Sequence, residues 1–359
     1  MKKHLIAAAV AGALAVPAMA QVTIGGYVEA GYQSLTLDGD ASTETNNEAK
    51  ALAGTGVFGS SRLVFSGSED LGGGLKAGFR LESTLDVVNG RLGASTLGAS
   101  TGSGTGELFN RGAEIMLSGG FGMVRLGQFD HQGGENTDLN VTGNVGLASG
   151  ISAGQGTADG VEIGTDRKST VAYRTPTMGG IFLEVAHSME DGQKSSSSVD
   201  NSTIGSVNSI YAEGKIGAIG FRAGYAKQAA KGTVSATNDD ATRTGVGVSY
   251  DFGMASASLH YAKATLINQT ENKETVVSVK VPLSGSLDLR GVYKNFDTDN
   301  AAASSLTASD RKEYTLAIAS ALSKRTTVYG AYTNFDRTST NAVGATDSKR
   351  MYIGVGHSF

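Results

Sequence analysis

The side chains in this chain that could do chemistry are charged, and most sit at every second position. Lys76, Arg80 and Glu82 alternate with Leu75, Ala77, Phe79 and Leu81. Arg62 shares a face with Val64 and Ser66, against Leu63 and Phe65. Arg125 lies between Val124 and Leu126, and Lys168 and Arg174 oppose Val171 and Tyr173. In contrast, Asp130–Asp166 carries Asp130, Glu135, Asp138, Asp159, Glu162 and Asp166, with no Lys or Arg among them. Fixed charges of opposite sign on facing surfaces act on mobile ions through a field, without making or breaking bonds.

The means for bond-making are sparse. There is no Cys, so thiol nucleophiles and thiolate metal sites are excluded. The five histidines, His4, His131, His187, His260 and His357, show no metal spacing of the H-E-x-x-H kind. Gly72-Gly73-Gly74 is not followed by the G-K-[ST] of a phosphate loop. No G-x-S-x-G elbow occurs. Asp38, Asp40, Asp297 and Asp299 read as solvated turn carboxylates. We therefore expect no catalytic residues, no cofactor and no metal. The formal charge of −4 provides no clustered basic face for nucleic acid.

The elements that position these charges follow from the period of two, which sends successive side chains to opposite faces of a strand. Val22, Ile24, Val28 and Ala30 oppose Thr23, Tyr27 and Glu29; Val246, Val248, Tyr250 and Phe252 oppose Arg243, Ser249 and Asp251. Leu287, Leu289 and Tyr293 oppose Asp288, Arg290 and Lys294, and Met351, Ile353, Val355 and Phe359 end the chain. Seven short turns, such as Gly217–Ala218 and Gly253, alternate with eight long polar stretches, such as Thr36–Gly56 and Asp130–Asp166. Fifteen connections join sixteen strands. A soluble β-sandwich also alternates, but it does not need charge on the second face of every strand, nor alternating short and long loops. A transmembrane barrel needs both. Tyr27, Tyr32, Tyr225, Tyr250, Tyr261, Tyr332, Tyr352 and Phe359 fall near strand ends, as interfacial girdles require. The first twenty residues, with Lys2 and Lys3, an apolar Leu5–Val16 and Ala18-Met19-Ala20, read as a signal peptide removed on export. Residues 21–359 then form one antiparallel barrel. Its formal charge is 28 − 34 = −6, once the two lysines are lost from the 30 bases.

Several segments resemble the general porins of Gram-negative bacteria, nearest to the neisserial and β-proteobacterial branch. They are residues 61–82, with Ser66-Gly67-Ser68-Glu69-Asp70-Leu71-Gly72; Phe109-Asn110-Arg111-Gly112-Ala113; Leu126-Gly127-Gln128; Tyr173-Arg174-Thr175-Pro176; and Leu322–Tyr329 with Tyr352–Phe359. The resemblance implies an all-β, sixteen-stranded antiparallel transmembrane β-barrel that trimerises and folds its third long loop inward. It implies passive diffusion of ions and small hydrophilic solutes across the bacterial outer membrane. The constriction would lie between the acidic loop, with Asp130, Glu135 and Asp138, and a basic wall of Arg62, Lys76, Arg80, Arg111, Arg125 and Arg174. Arg111 shares its parity with Ala113, Ile115 and Leu117, which conflicts with Glu114 pointing to lipid; the sequence leaves both facings open. Phe359 resembles the signal read by the barrel-assembly machinery. Partners would be two further copies of the chain, outer-membrane lipid, lipopolysaccharide and that machinery. The net charge leans towards cations, while a dense basic wall would reverse that sign. A solute-specific channel would want lumen aromatics, here chiefly Tyr27 and Tyr211. A barrel enzyme of the outer membrane would need a rim constellation, and a blocked structural barrel would not conduct.

Overall fold

The alternation is realised as one closed sheet. The computed structural model describes residues 21–39, 47–53, 59–92, 108–130, 132, 141–142, 167–189, 204–230, 240–266, 271–299, 309–339 and 346–359. The strands are β1 (Gln21–Gly39), β2 (Asn47–Ala53), β3 (Arg62–Gly72), β4 (Leu75–Asp86), β5 (Arg91–Leu92), β6 (Gly112–Gly119), β7 (Gly122–Phe129), β8 (Arg167–Arg174), β9 (Ile181–Ser188), β10 (Ile204–Ile216), β11 (Ile219–Ala230), β12 (Ala241–Asp251), β13 (Ser256–Thr265), β14 (Glu271–Pro282), β15 (Leu287–Asp299), β16 (Ser309–Ala321), β17 (Thr326–Ser339) and β18 (Thr346–Ser358). Neighbours pair antiparallel. The ring closes where Tyr27–Gly39 of β1 pairs with Thr346–Ser358 of β18.

Eighteen segments make sixteen staves. β2 and β3 pair with successive lengths of β1, Gly31–Leu37 and Gln21–Tyr27, so they are two parts of one stave. β5 is a two-residue extension against the end of β4, whose body pairs with β6. The reading of Thr36–Gly56 as a single loop is corrected here. Asn47–Ala53 continues the ladder, although Asn-Glu-Ala-Lys-Ala-Leu-Ala offers little apolar contrast to reveal it.

Closure is what a lipid environment demands, because it leaves no sheet edge with unpaired backbone groups. The outward face carries Ile115, Leu126, Val246, Val248, Leu316 and Ile353, all well exposed. Tyr32, Tyr225, Tyr250, Tyr261, Tyr314, Tyr332 and Phe359 also point outward and are exposed. Tyr352 is not part of that girdle. It shares its face with Arg350 and stacks on Tyr329 at 5.8 Å between ring centroids, inside the wall. Space for its ring comes from Gly31 and Gly354, where an added Cβ would meet the ring at 2.5 Å.

Two expected outcomes test this architecture. Gly127 of β7 has φ +141°, and a Cβ there would lie 2.1 Å from the Ala113 carbonyl oxygen of β6. Gly127→Ala should therefore cost about 3 kcal/mol, from strain and main-chain clash together. The midpoint of urea unfolding in detergent reports it, and an unchanged midpoint contradicts the β6–β7 packing. At the long-loop end, Asp240 pairs with Lys227 at 2.7 Å and accepts the Ala230 N–H at 3.0 Å. The hydrogen bond from Lys227, then the one from Ala230, holds its carboxyl below the usual carboxylate range. A depressed folded-state value means the contribution is complete above the unfolded value of about 3.9 and is lost as pH falls through the folded value. NMR titration of Asp240 should give a midpoint below that of a model peptide; a midpoint at or above it contradicts the pairing.

Candidate functional site in the charged lumen

Antiparallel partners share a face, so the register assigns every inward residue once one is known. Tyr27 pairs with Arg62, Arg62 with Thr84, Ser66 with Arg80, and Arg80 with Glu114. Arg62, Arg80, Glu82 and Glu114 therefore all point inward. Three guanidiniums meet one carboxylate here. Arg80 donates to Glu82 Oε2, Arg111 Nε donates to Oε1 at 3.0 Å, and Arg62 Nε lies 3.7 Å from the same oxygen. Three bases against one acid leave a local surplus of 3 − 1 = +2. The arginines stay about 35 to 45 % exposed, whereas the Glu82 side chain is 11 % exposed. Water in the lumen therefore sees the bases.

The question over Arg111 and Glu114 is resolved by where the strand begins. β6 starts at Gly112, so Arg111 precedes the alternating run and is free of its parity. Its N–H donates to the Glu82 carbonyl at 3.2 Å, and its side chain turns inward. Glu114 also faces inward and accepts from Arg125 Nε at 2.6 Å.

A second group lies on β6–β9. Arg125 bridges Glu114 and Glu184, at 2.6 and 3.3 Å, and its guanidinium lies 4.1 Å from the Phe129 ring centroid. Arg174 holds Glu184 through Nε at 2.9 Å and Nη2 at 2.8 Å. Its Cζ lies 4.3 Å over Phe182. Beyond it, Tyr211 donates to Glu213 at 2.7 Å, and Arg222 donates to the same carboxylate at 3.2 Å. Across the barrel, Glu274 is buried between Lys294 at 2.7 Å and His260 at 3.6 Å.

The predicted residues thus divide. Arg62, Arg80 and Arg111 meet at Glu82, and Arg125 and Arg174 meet at Glu184. Lys76 stands apart, beside the short turn at Gly73–Gly74 and opposite Asp70 in register. Asp130 directly follows β7 at the long-loop end. Glu135 and Asp138, like the side chain of Lys168, lie outside the described residues. Phe359 exchanges main-chain hydrogen bonds with Gly26, each 3.2 Å long, so the last residue is tied to the first strand.

Sequence reasoning missed a contact far from this wall. The Val141 N–H donates to Ser278 Oγ at 3.1 Å, and Arg290 Nη1 donates to the Thr142 carbonyl at 2.9 Å. Ser278 and Arg290 are inward residues of β14 and β15, and Thr142 is fully buried. Asp288 grips the Nε edge of Arg290, and Ser258 shares a 2.5 Å hydroxyl contact with Ser278. Alternation showed Asp288 and Arg290 as inward. Nothing local showed what they would hold. Inward aromatics were also undercounted. Phe129, Phe182, Phe296, Tyr329 and Tyr352 join Tyr27 and Tyr211, and several of them lie beneath an arginine.

An apolar outside, a charged inside and sixteen closed staves define a membrane-spanning pore barrel rather than a packed soluble one. The model of the family described as Gram-negative porin matches residues 7–359, and the chain belongs to that family. It is 31 % identical over 290 residues to outer membrane porin protein 32 of Delftia acidovorans, covering 77 % of this chain and 72 % of the relative. It is 35 % identical over 208 residues to major outer membrane protein P.IB of Neisseria gonorrhoeae, covering 54 % and 50 % respectively. Among solved structures, the anion-selective porin from Comamonas acidovorans superposes with a TM-score of 0.72 at 24 % identity, covering 95 % of this chain and all of that one. The chain is an outer-membrane general diffusion porin.

Proposed function

We propose that the residue 130–166 connection narrows the lumen, and that the arginines at Glu82 set the sign of the field across the narrowing. The observation that carries this reading is the seat of Val141 and Thr142 on Ser278 and Arg290. Ser278 lies on the β14 stave well inside its ends, Glu271 and Pro282, so this part of the connection reaches down the inner wall rather than over the rim. On this reading, charged and hydrophilic solutes pass with their water, while apolar solutes must first shed ordered water. The +2 surplus at Glu82 favours anions, and this is the sign in the name of the Comamonas relative. That replaces the lean towards cations drawn from net charge, because field at the narrowest ring outweighs charge elsewhere.

The same reading makes the protein a channel without enzymatic chemistry. It assembles as a homotrimer within outer-membrane lipid and lipopolysaccharide, after residues 1–20 are removed and the Phe359 end is taken up by the assembly machinery. Residues 1–20 lie outside the described residues. Reversal potential under a KCl gradient tests the sign, and a cation-selective potential would remove the role given to the arginines. For Phe359, deletion of this residue should lower the folded, heat-modifiable fraction recovered from outer membranes. Full recovery would contradict its role as the assembly signal.

A further inference from the structure

We propose that Arg174 forms a flat stacking platform in the lumen that favours planar, aromatic carboxylates over non-planar anions of equal charge. This rests on the pore reading above and adds a solute class to it.

The platform is built from three directions. The Arg174 Cζ lies over the Phe182 ring, 4.3 Å from its centroid. Glu184 fills one edge, accepting from Nε at 2.9 Å and lying 2.8 Å from Nη2. Glu184 is itself fixed from its other side by Arg125 and is 2 % exposed, so it does not move with solvent. The guanidinium is therefore held between the Phe182 ring and the Glu184 carboxylate. Arg174 remains 29 % exposed, and its Nη1 has no partner among the described residues. That exposed part is what a solute in the lumen can reach. Arg125 and Arg311 stack on rings in the same way, but they are buried and offer no such access.

A guanidinium held in this way stacks best on a flat π-system. The anionic end of such a solute has a second cation in reach. Phe182 pairs in register with Glu213, and Glu213 with Arg222, so Arg222 stands two strands from the Phe182 ring, about 10 Å along the wall, and three from the strand of Arg174. Arg222 holds Glu213 and is 28 % exposed. A benzoate-sized plate lying on Arg174 can turn its carboxylate towards Arg222. A saturated ring of the same charge cannot lie flat, and a lysine in place of Arg174 would keep the charge but lose the plane.

The test is a bi-ionic potential across a planar bilayer holding the purified protein, with potassium benzoate on one side and potassium cyclohexanecarboxylate on the other. The two anions match in charge and closely in size. Wild type should favour benzoate, and Arg174→Lys should lower the benzoate-to-cyclohexanecarboxylate permeability ratio about threefold. Phe182→Leu keeps both charges and should lower it part of the way. Conductance in KCl, measured on the same bilayers, reports that each variant has folded. An unchanged ratio in Arg174→Lys overturns the platform, because a difference due only to solute thickness would survive that change. A wild type that conducts KCl but does not favour benzoate overturns the platform and leaves the porin standing. A folded wild type that conducts no ion overturns both.

Discussion

Replacing Arg62, Arg80 and Arg111 together by Gln is expected to abolish the proposed anion preference and reverse the sign of the potential under a KCl gradient. All three guanidiniums converge on Glu82 within 3.7 Å. Their removal changes the local sum from +2 to −1, leaving an inward carboxylate without its bases. A charge in a narrow lumen with low-dielectric walls shifts the local potential by an amount comparable with thermal energy. Losing three such charges should lower the chloride-to-potassium permeability ratio roughly fivefold or more. The converse change, Glu82→Gln, should raise the ratio, since the bases lose the carboxylate they share. If the triple variant conducts with an unaltered ratio, the narrowest ring lies elsewhere. Salt provides an internal check. Because the arginines are 35 to 45 % exposed, the preference should fade as ionic strength rises from about 0.1 to 1 M and the Debye length shrinks from about 10 to 3 Å.

Arg290→Ala combined with Ser278→Ala is expected to raise single-channel conductance by about half to twofold and to make the open level noisier. These two side chains join the inner wall to residues 141–142. Both grip main chain, one a carbonyl and one an N–H. Asp288 is shared by Arg290 and Lys280, the latter at 3.6 Å, so losing Arg290 leaves the pair Lys280–Asp288 and should alter width more than sign. Conductance and reversal potential recorded on the same channels separate these effects. A rise in conductance with the sign retained fits a mechanical clasp. A reversed sign at unchanged conductance would make Arg290 part of the field instead.

The legible parts of this molecule were those written in single strands. Alternation at Leu75–Glu82 and at Val246–Phe252 places apolar and charged faces without any tertiary information, and the alternation of short and long connections yields sixteen staves. β2 was not legible, because Asn47–Ala53 has too little apolar contrast and gains its identity only by pairing with Gly31–Leu37. Facing is lost wherever a residue stands just outside a strand, as Arg111 does before Gly112. The partners of the inward charges were invisible for another reason. Arg125 and Glu184 are far apart in sequence and meet only through the β7–β8–β9 ladder, while Thr142 reaches Arg290 through a long connection. Tyr352 shows how a competing signal misleads. Its place near the chain end suggested the girdle, while its parity with Arg350 and the room left by Gly31 and Gly354 put it inside.

The central claim is a water-filled pore whose field is set by the arginines at Glu82. Single-channel recording of the detergent-purified protein in planar bilayers, with the reversal potential under a KCl gradient, tests it most directly. Large steps arriving in groups of three, with a potential of anion-selective sign, are expected. A folded barrel that passes no current, or one whose steps are cation-selective, would contradict it.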